Sequence, residues 1–229
     1  MKVRIRRATA VRVFALPVLA LLLVTLGPRV AEATAILSPV AVPINTLGEW
    51  GLCCEIGSML DQSGLDVGFS SGVTDFDHYQ SLGPLHDPMF DEQEFFGARD
   101  TRSGTIVLDL GAPFPVDRMA LWNEDSTGIK KMTVETSDDQ DFLIDVTPQG
   151  TFRLDRPTRD ADYPAQLFDF DFPTVRDRYV KIEIRCYTTD LNNCGIGEVA
   201  FSVPEPASAF LLGLGLAALA AGRRRFRIG

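Results

Sequence analysis

The chain contains two histidines, His78 and His86, and few other groups that titrate near neutral pH. Histidine is the commonest general acid or base, so its scarcity limits proton-transfer chemistry. Neither histidine stands in a His-Glu-x-x-His zinc motif, and the body of the chain has no phosphate-binding glycine loop. Closely spaced acidic pairs, which could form a glycosidase dyad, occur at Asp75/Asp77, Glu92/Glu94 and Asp138/Asp139. Such pairs arise by chance in an acidic chain, so the sequence predicts no enzymatic activity and leaves a divergent secreted glycosidase as an alternative.

Aromatic side chains between regular segments suggest a different chemistry, the binding of sugars. A saccharide site needs an exposed ring beside a few fixed polar groups. Residues 72–103 have little regular hydrophobic period and are rich in Asp, Glu, Phe and Gly, which is typical of a functional loop. The alternative is that several of these rings only close the ends of the core. The possible ligand loop is formed by Trp50, Tyr79, Phe95 and Phe96, and Phe90 and Tyr163 also lie in predicted loops.

Four cysteines remain as candidates for covalent links: Cys53, Cys54, Cys186 and Cys194. Their spacings match no zinc template, whereas an even number in an exported protein indicates disulfides. A bridge between Cys53 and Cys54 is strained, because adjacent Cα atoms lie about 3.8 Å apart and disulfides prefer at least about 4.4 Å. We therefore favour a link from Cys53 or Cys54 to the segment 186–194. A bridge between Cys186 and Cys194 remains open.

The charge of the chain is concentrated in its middle. Residues 34–206 keep 12 of the 22 basic residues and 30 of the 31 acidic ones, a formal charge near −18 against −9 for the whole chain. A field of this sign repels DNA, RNA and anionic lipid. Nucleic acid is therefore excluded as a partner, and cations or neutral and basic partners are favoured.

The sequence pattern in the middle of the chain predicts a series of β-strands. Apolar and polar residues alternate with period two, which predicts strands with one buried face. In 167–172, for example, three phenylalanines are expected inward and two aspartates outward. No long apolar stripe of helical period is present, so we predict an all-β antiparallel sandwich or jelly roll. The other predicted strands cover 105–110, 118–123, 131–135, 178–184 and 199–201, with Trp122 packed in the core.

The two ends of the chain carry targeting patterns. Residues 1–33 have a basic start, a short apolar run and small residues near Ala33 and Ala35, which is typical of a secretory signal peptide cut after either alanine. The last 27 residues, 203–229, combine three parts. These are the motif Val203, Pro204, Glu205 and Pro206, an uncharged apolar segment, and the basic residues Arg223, Arg224, Arg225 and Arg227. The arginines should stay cytoplasmic as a membrane stop, so the domain ahead of them is expected outside the inner membrane.

This three-part C-terminus resembles the PEP-CTERM sorting signal. The resemblance implies that a membrane-embedded exosortase cuts near the motif, and that the precursor is held in the inner membrane before processing. It also implies a Gram-negative bacterium that makes extracellular polysaccharide. The mature protein is then expected at the cell surface or in the extracellular matrix.

The order of the strands in 34–202 is similar to that of discoidin-type, or galactose-binding-like, domains. The resemblance is carried by 104–111, 119–123, 134–139, 178–182 and 195–201. Such domains often hold a structural calcium ion, which implies ligands at Asp61 and Glu198 with Ser63 or Asp66 adding oxygen. An acidic loop of small residues suits the six to eight oxygens of calcium. The alternative is that 61–64 is an ordinary turn and that Glu198 pairs with an arginine.

The sequence therefore predicts three parts: a signal peptide (1–33), a discoidin-like sandwich (34–202) and a sorting signal (203–229). The expected function is that of an exported, exosortase-processed, non-enzymatic protein that binds extracellular polysaccharide or surface partners. A purely structural coat protein without a small ligand is the alternative from another class.

Overall fold

The computed structural model describes residues 34–51, 54–88, 93–172, 176–188 and 192–204. The predicted signal peptide, Cys53, and the sorting signal from Glu205 onward lie outside the described residues. Among the residues that are described, no helix is long and apolar enough to cross a membrane.

The described part is built almost entirely from strands. A 3-10 turn at Ile56–Met59 and one short helix, α1 (Phe76–Ser81), are the helical elements of these residues. The strands are β1 (Thr34–Leu37), β2 (Ala41–Asn45), β3 (Leu85–His86), β4 (Phe95–Phe96), β5 (Ser103–Pro115), β6 (Arg118–Asn123), β7 (Ile129–Ser137), β8 (Thr147–Arg153), β9 (Tyr163–Pro164), β10 (Gln166–Asp169), β11 (Arg176–Cys186) and β12 (Gly195–Pro204).

Two antiparallel sheets form the sandwich. The first sheet has the order β1-β12-β6-β10, with β4 also paired to β12. The second has the order β2-β5-β11-β7-β8. A separate small ribbon joins β3 to β9. This arrangement confirms the predicted all-β antiparallel sandwich.

The core between the sheets follows the predicted alternation. Ile106, Leu108 and Leu110 of β5 are buried in it, as are Met132 and Val134 of β7. Burying such side chains stabilises each sheet by about 1.5–3 kcal/mol per residue.

The segment 167–172 departs from its prediction at one position. Phe168 and Phe170 are buried, but Phe172 is 51% exposed. Strand β10 ends at Asp169, so the alternation of faces is no longer enforced at Phe172.

The central strands of the first sheet, β12 and β6, are buried on both faces, which one-sided alternation did not predict. Strand β12 is buried from Gly195 to Val203. A second apolar cluster covers its outer side and includes Trp122, Phe76 of α1 and Tyr79 of α1. The stretch 72–103 therefore serves partly as a cover, because it supplies α1 and the short strand β3, while β4 extends the sheet itself.

Trp122 is fully buried, as predicted, but it belongs to this outer cluster. Its indole N–H donates to the carbonyl of Pro84 at 3.1 Å, which ties the cover to the sheet.

The disulfide pattern differs from the one we favoured. Cys186 at the end of β11 is bonded to Cys194 just before β12, with their Cα atoms 5.5 Å apart. A link from Cys53 or Cys54 to this segment is therefore wrong. The strands β11 and β12 belong to different sheets, and the end of one lies close enough to the start of the other for the two sulfurs to bond. Cys54 is also disulfide-bonded.

Candidate functional site

The predicted calcium position centres on Glu198, whose side chain is fully buried in β12. Its Oε2 accepts a hydrogen bond from the backbone N–H of Gln62 at 2.8 Å, while its Oε1 has no hydrogen-bond partner. Burial raises the pKa of Glu198 well above its ordinary value, and the neighbouring Asp61 carboxylate raises it further. A buried carboxylate oxygen without a partner is costly unless a cation or proton satisfies it.

The loop opposite Glu198 is a tight turn. Asp61 Oδ1 accepts from the backbone N–H of Ser63 at 2.9 Å, and Gln62 adopts a φ of 63°. Gly64 packs against the ring of His86, where a Cβ atom would lie 2.1 Å from the ring carbon Cε1. Only glycine fits there, and this close contact brings the turn onto β3, while the bond from Gln62 to Glu198 joins it to β12.

The four predicted calcium ligands are not gathered into one set of side chains. Asp66 is engaged elsewhere, since its Oδ1 accepts from the backbone N–H of Leu85 at 2.8 Å. The described residues contain no group of three or more His, Cys, Asp or Glu side chains placed to hold a metal. Asp61 and Glu198 do approach each other, so a cation here would need backbone carbonyls and water for most of its shell.

A buried polar cluster that the sequence did not reveal lies beside this position. His86, Glu94 and Tyr163 are all buried, and the rings of His86 and Tyr163 are stacked with their centres 5.2 Å apart. The Tyr163 hydroxyl donates a short hydrogen bond to Glu94. His86 Nδ1 lies 2.8 Å from the carbonyl of Asp87, so Nδ1 carries the proton.

Burial controls the ionisation of this cluster. It raises the pKa of Glu94 to about 8, an effect that the carboxylates of Glu124 and Asp125 reinforce and the Tyr163 hydroxyl opposes. It lowers the pKa of His86 and raises that of Tyr163. At neutral pH the cluster is therefore largely uncharged.

Gly197 allows β12 to approach the cluster. A Cβ atom at Gly197 would lie 2.5 Å from the Tyr163 hydroxyl oxygen and 3.0 Å from His86 Cδ2. The pairing of β12 with β6 shifts register between Ile196 and Glu198, so Gly197 sits in a bulge. The pattern Gly-x-Gly-x in 195–198 was the available sequence signal for this close contact.

The predicted aromatic platform is not present as a surface. Tyr79, Phe95 and Phe96 are buried. Tyr79 packs against Trp122 and its hydroxyl donates to the carbonyl of Val67, while Phe95 belongs to the main core. Of the four rings, only Trp50 is partly exposed. Tyr79 is buried because α1 covers the first sheet, whereas Phe95 and Phe96 are buried because β4 is itself paired to β12 in that sheet.

A serine motif in this region lacks its catalytic context. Residues 68–72 read Gly-Phe-Ser-Ser-Gly, the spacing of a nucleophile elbow, which requires a strand-to-helix turn. The segment instead forms an irregular turn without a preceding strand, and the backbone N–H of Ser70 donates to Thr74 Oγ1 at 3.0 Å.

Two surface depressions occur in the described part of the chain. One, of about 200 Å³, is lined by Ser63, Gly64, Asp66 and Asp162 among others, and its lining residue Gly64 contacts the buried His86. The other, of about 370 Å³, lies at the end of β11, and its lining includes Arg102, Lys130 and Arg185 together with Asp100, Ser103, Cys186 and Thr188.

The two packed sheets make this an antiparallel β-sandwich protein. The chain resembles two carbohydrate-binding modules from Clostridium perfringens. One is CBM32-1 of a family 31 glycoside hydrolase (13% identity, 72% of this chain and 95% of that chain, TM-score 0.45). The other is the family 32 module of NanJ in complex with galactose (10% identity, 75% of this chain and 93% of that chain, TM-score 0.43).

A family 89 glycoside hydrolase from the same organism is also similar (13% identity, TM-score 0.40). The alignment covers 77% of this chain but only 14% of the hydrolase. At such TM-scores and identities, these likenesses say nothing about a ligand or an activity of this chain. No curated protein matches it.

The C-terminal signal is more specific. The sequence model of the PEP-CTERM protein-sorting motif matches residues 202–225. The chain therefore carries an exosortase sorting signal behind a β-sandwich. The match begins inside β12, where Val203 pairs with Ala35 and Pro204 with Thr34.

Proposed function

We propose that this protein is exported through the inner membrane, held there as a precursor and processed by an exosortase to a cell-surface or matrix form in a Gram-negative bacterium. The observation that carries this proposal is the PEP-CTERM motif at 202–225. The predicted signal peptide and the acidic middle of the chain agree with it.

The sandwich acts by binding, and its partner is extracellular polysaccharide or another surface component. Support comes from the residues that could do chemistry: His86 is buried and Ser70 lies in an irregular turn. His78 is exposed in α1 and its backbone N–H donates to Asp75, which caps the helix. None of these arrangements supplies a nucleophile with an adjacent base.

The test uses the full chain in its own host, with and without the exosortase. We expect cleaved protein at the surface or in the medium that co-sediments with the host polysaccharide. Without the exosortase, the uncleaved protein should stay in the inner-membrane fraction. Full-length protein in the cytosol would contradict the proposed export. A cleaved form that binds neither the host polysaccharide nor another surface component would contradict the proposed binding role. Hydrolysis of that polysaccharide would instead identify a glycosidase.

A structural calcium ion at Asp61 and Glu198 is part of the proposal. The unpartnered Oε1 of Glu198 supports it, and Ser63 and Asp66 remain the predicted additional oxygen ligands. A bound cation would fix the turn at 61–64 against β12 and would keep Glu198 ionised.

We expect calcium to raise the Tm of the mature protein and EDTA to lower it. Glu198→Gln should abolish this difference, because it removes the charge but keeps the shape of the side chain. Asp171→Asn, at an exposed carboxylate in another part of the domain, should keep the full calcium effect. If wild-type Tm is the same in calcium and in EDTA, the site is absent.

A further inference from the structure

Three basic residues lie side by side across the second sheet. Lys131 of β7 pairs directly with Arg185 of β11 on one side and with Arg153 of β8 on the other. All three side chains are exposed, while their strand neighbours Met132 and Ile184 are buried. They therefore form a row on the outer face, spaced by the strand separation of about 4.8 Å.

This row opposes the folding of the sheet. Like charges directly opposite one another on adjacent strands are destabilising. Acidic residues outnumber basic ones by 30 to 12 between 34 and 206. A carboxylate at one of these three positions would relieve the repulsion, yet all three positions are basic. Elsewhere three cations are held by carboxylates: Arg118 by Asp77, Arg178 by Asp109 and Lys181 by Glu135.

Further basic groups extend the row toward the disulfide. The β7–β11 pairing shifts register next to Arg185, which leaves Lys130 as an extra exposed residue beside Lys131. Bulges of this kind redirect a side chain. Lys130, Arg102 and Arg185 then line the depression of about 370 Å³. Arg102 Nη1 donates to Thr188 Oγ1 at 3.0 Å, which orients its guanidinium.

We define the basic face as Arg102, Lys130, Lys131, Arg153 and Arg185. Within the described residues, no carboxylate lies within 4.0 Å of these five cationic groups. Asp100 lines the depression, and Glu183 is exposed two residues before Arg185 on the same face. The positive charge of the face therefore exceeds the negative charge near it.

The net charge of the domain does not cancel this local field. At physiological ionic strength, charges further apart than about 8 Å are largely screened from each other. The row extends over two strand spacings, about 10 Å. The electrostatic field on a ligand group that lies on the row therefore comes mainly from these cations. The overall charge, which favoured neutral or basic partners, does not decide what binds here.

We propose that the basic face binds a polysaccharide whose sugars carry carboxylate groups, along the row formed by Arg153, Lys131 and Arg185. Guanidinium groups bind carboxylates through paired hydrogen bonds. A row of evenly spaced cations matches a polymer with evenly spaced anions better than it matches one small anion. The assignment rests on the proposed function, because it names the surface and the chemical class of the same polysaccharide partner.

The test measures binding of the mature protein to polygalacturonate and to its methyl ester, which has the same backbone without the charge. We expect binding to polygalacturonate at low salt, much weaker binding to the ester, and loss near 1 M salt, where the screening length falls to about 3 Å. The variant Lys131→Gln/Arg153→Gln/Arg185→Gln should bind at least roughly tenfold more weakly, the equivalent of one charged hydrogen bond.

Two controls accompany this variant. Its Tm should equal or exceed that of the wild type, because charge repulsion is relieved. Arg176→Gln removes an exposed cation at the opposite end of β11 and should leave binding unchanged.

Equal affinity of the triple variant and the wild type for polygalacturonate, or equal affinity of the wild type for acid and ester, would overturn the assignment. If host polysaccharide still binds the triple variant fully, the basic face is wrong but the proposed function stands. If wild type binds neither polygalacturonate nor the host polysaccharide, the basic face and the polysaccharide partner of the proposed function both fail. If the triple variant only disrupts self-association of the protein, the face is an interface between copies instead.

Discussion

At the scale of single residues, the buried cluster around Glu94 makes stability depend on pH. Glu94 is protonated in the fold up to a pKa of about 8, whereas its ordinary pKa is 4.5. The unfolded chain releases this proton first, so the free energy of unfolding falls as pH rises from about 4.5 to about 8. His86, whose pKa is lowered from 6.5, acts in the opposite sense, but its contribution is complete above pH 6.5.

We therefore predict that Tm in EDTA falls between pH 6.5 and pH 8, and that Glu94→Gln makes this fall shallower. Glutamine cannot ionise, yet it can still accept the hydrogen bond from Tyr163. The Glu94 contribution to the slope is at most about 1.4 kcal/mol per pH unit. Part of the fall should remain, because the pKa of Glu198 is also raised.

The measurement is thermal unfolding of wild type and Glu94→Gln across this pH range. Glu183→Gln, at an exposed carboxylate, should follow the wild-type curve. Parallel curves for wild type and Glu94→Gln would show that Glu94 is ionised in the fold at pH 6.5.

At the scale of elements, the Cys186–Cys194 bridge fixes the connection between the two sheets. It closes a short segment between β11 and β12, the strands that carry Arg185 and Glu198. In the chain-entropy view, a loop of this size contributes about 2–3 kcal/mol to stability.

We predict that Cys186→Ala/Cys194→Ala lowers Tm by roughly 5–10 °C for a domain of this size. The measurement is thermal unfolding without reductant, which leaves the bond of Cys54 intact. An unchanged Tm would mean that the bridge does not restrict the unfolded chain as expected.

At the scale of the whole molecule, the sandwich limits where the two ends can be cut. Residues 34–37 are buried in β1 and pair with the end of β12. Val203, the start of the sorting motif, is also buried. Removing either segment would expose apolar surface and unpaired backbone groups.

We predict that the mature chain begins at Thr34, after Ala33, and ends beyond Pro204. Cleavage after Ala35 would remove the pairs Thr34–Pro204 and Ala35–Val203. Intact mass of the protein isolated from the surface fraction gives both ends at once. A mature form that starts at Ile36 or ends before Val203 would contradict this prediction.

The sequence by itself determined the features that depend on residues close together along the chain. Alternation in 105–110 and 131–135 gave the strands β5 and β7, because a strand buries every second side chain. The sorting motif was recognised in the same way, since its three parts follow one another along the chain and need no fold.

Only the tertiary structure decided which distant residues meet. Tyr79, Phe95 and Phe96 were predicted to be loop residues and are buried. Helix α1 covers a sheet that sequence alternation suggested was one-sided, and β4 joins that sheet beside β12. The cluster of His86, Glu94 and Tyr163 joins segments that are separated by up to 77 positions.

The basic face shows the same limit most clearly. Arg153, Lys131 and Arg185 stand in one row only because β8, β7 and β11 pair in one register. A shift of a single residue in either pairing would turn part of the row to the opposite face. Register depends on the packing of the whole sheet, so it cannot be derived from the positions of the charged residues along the chain.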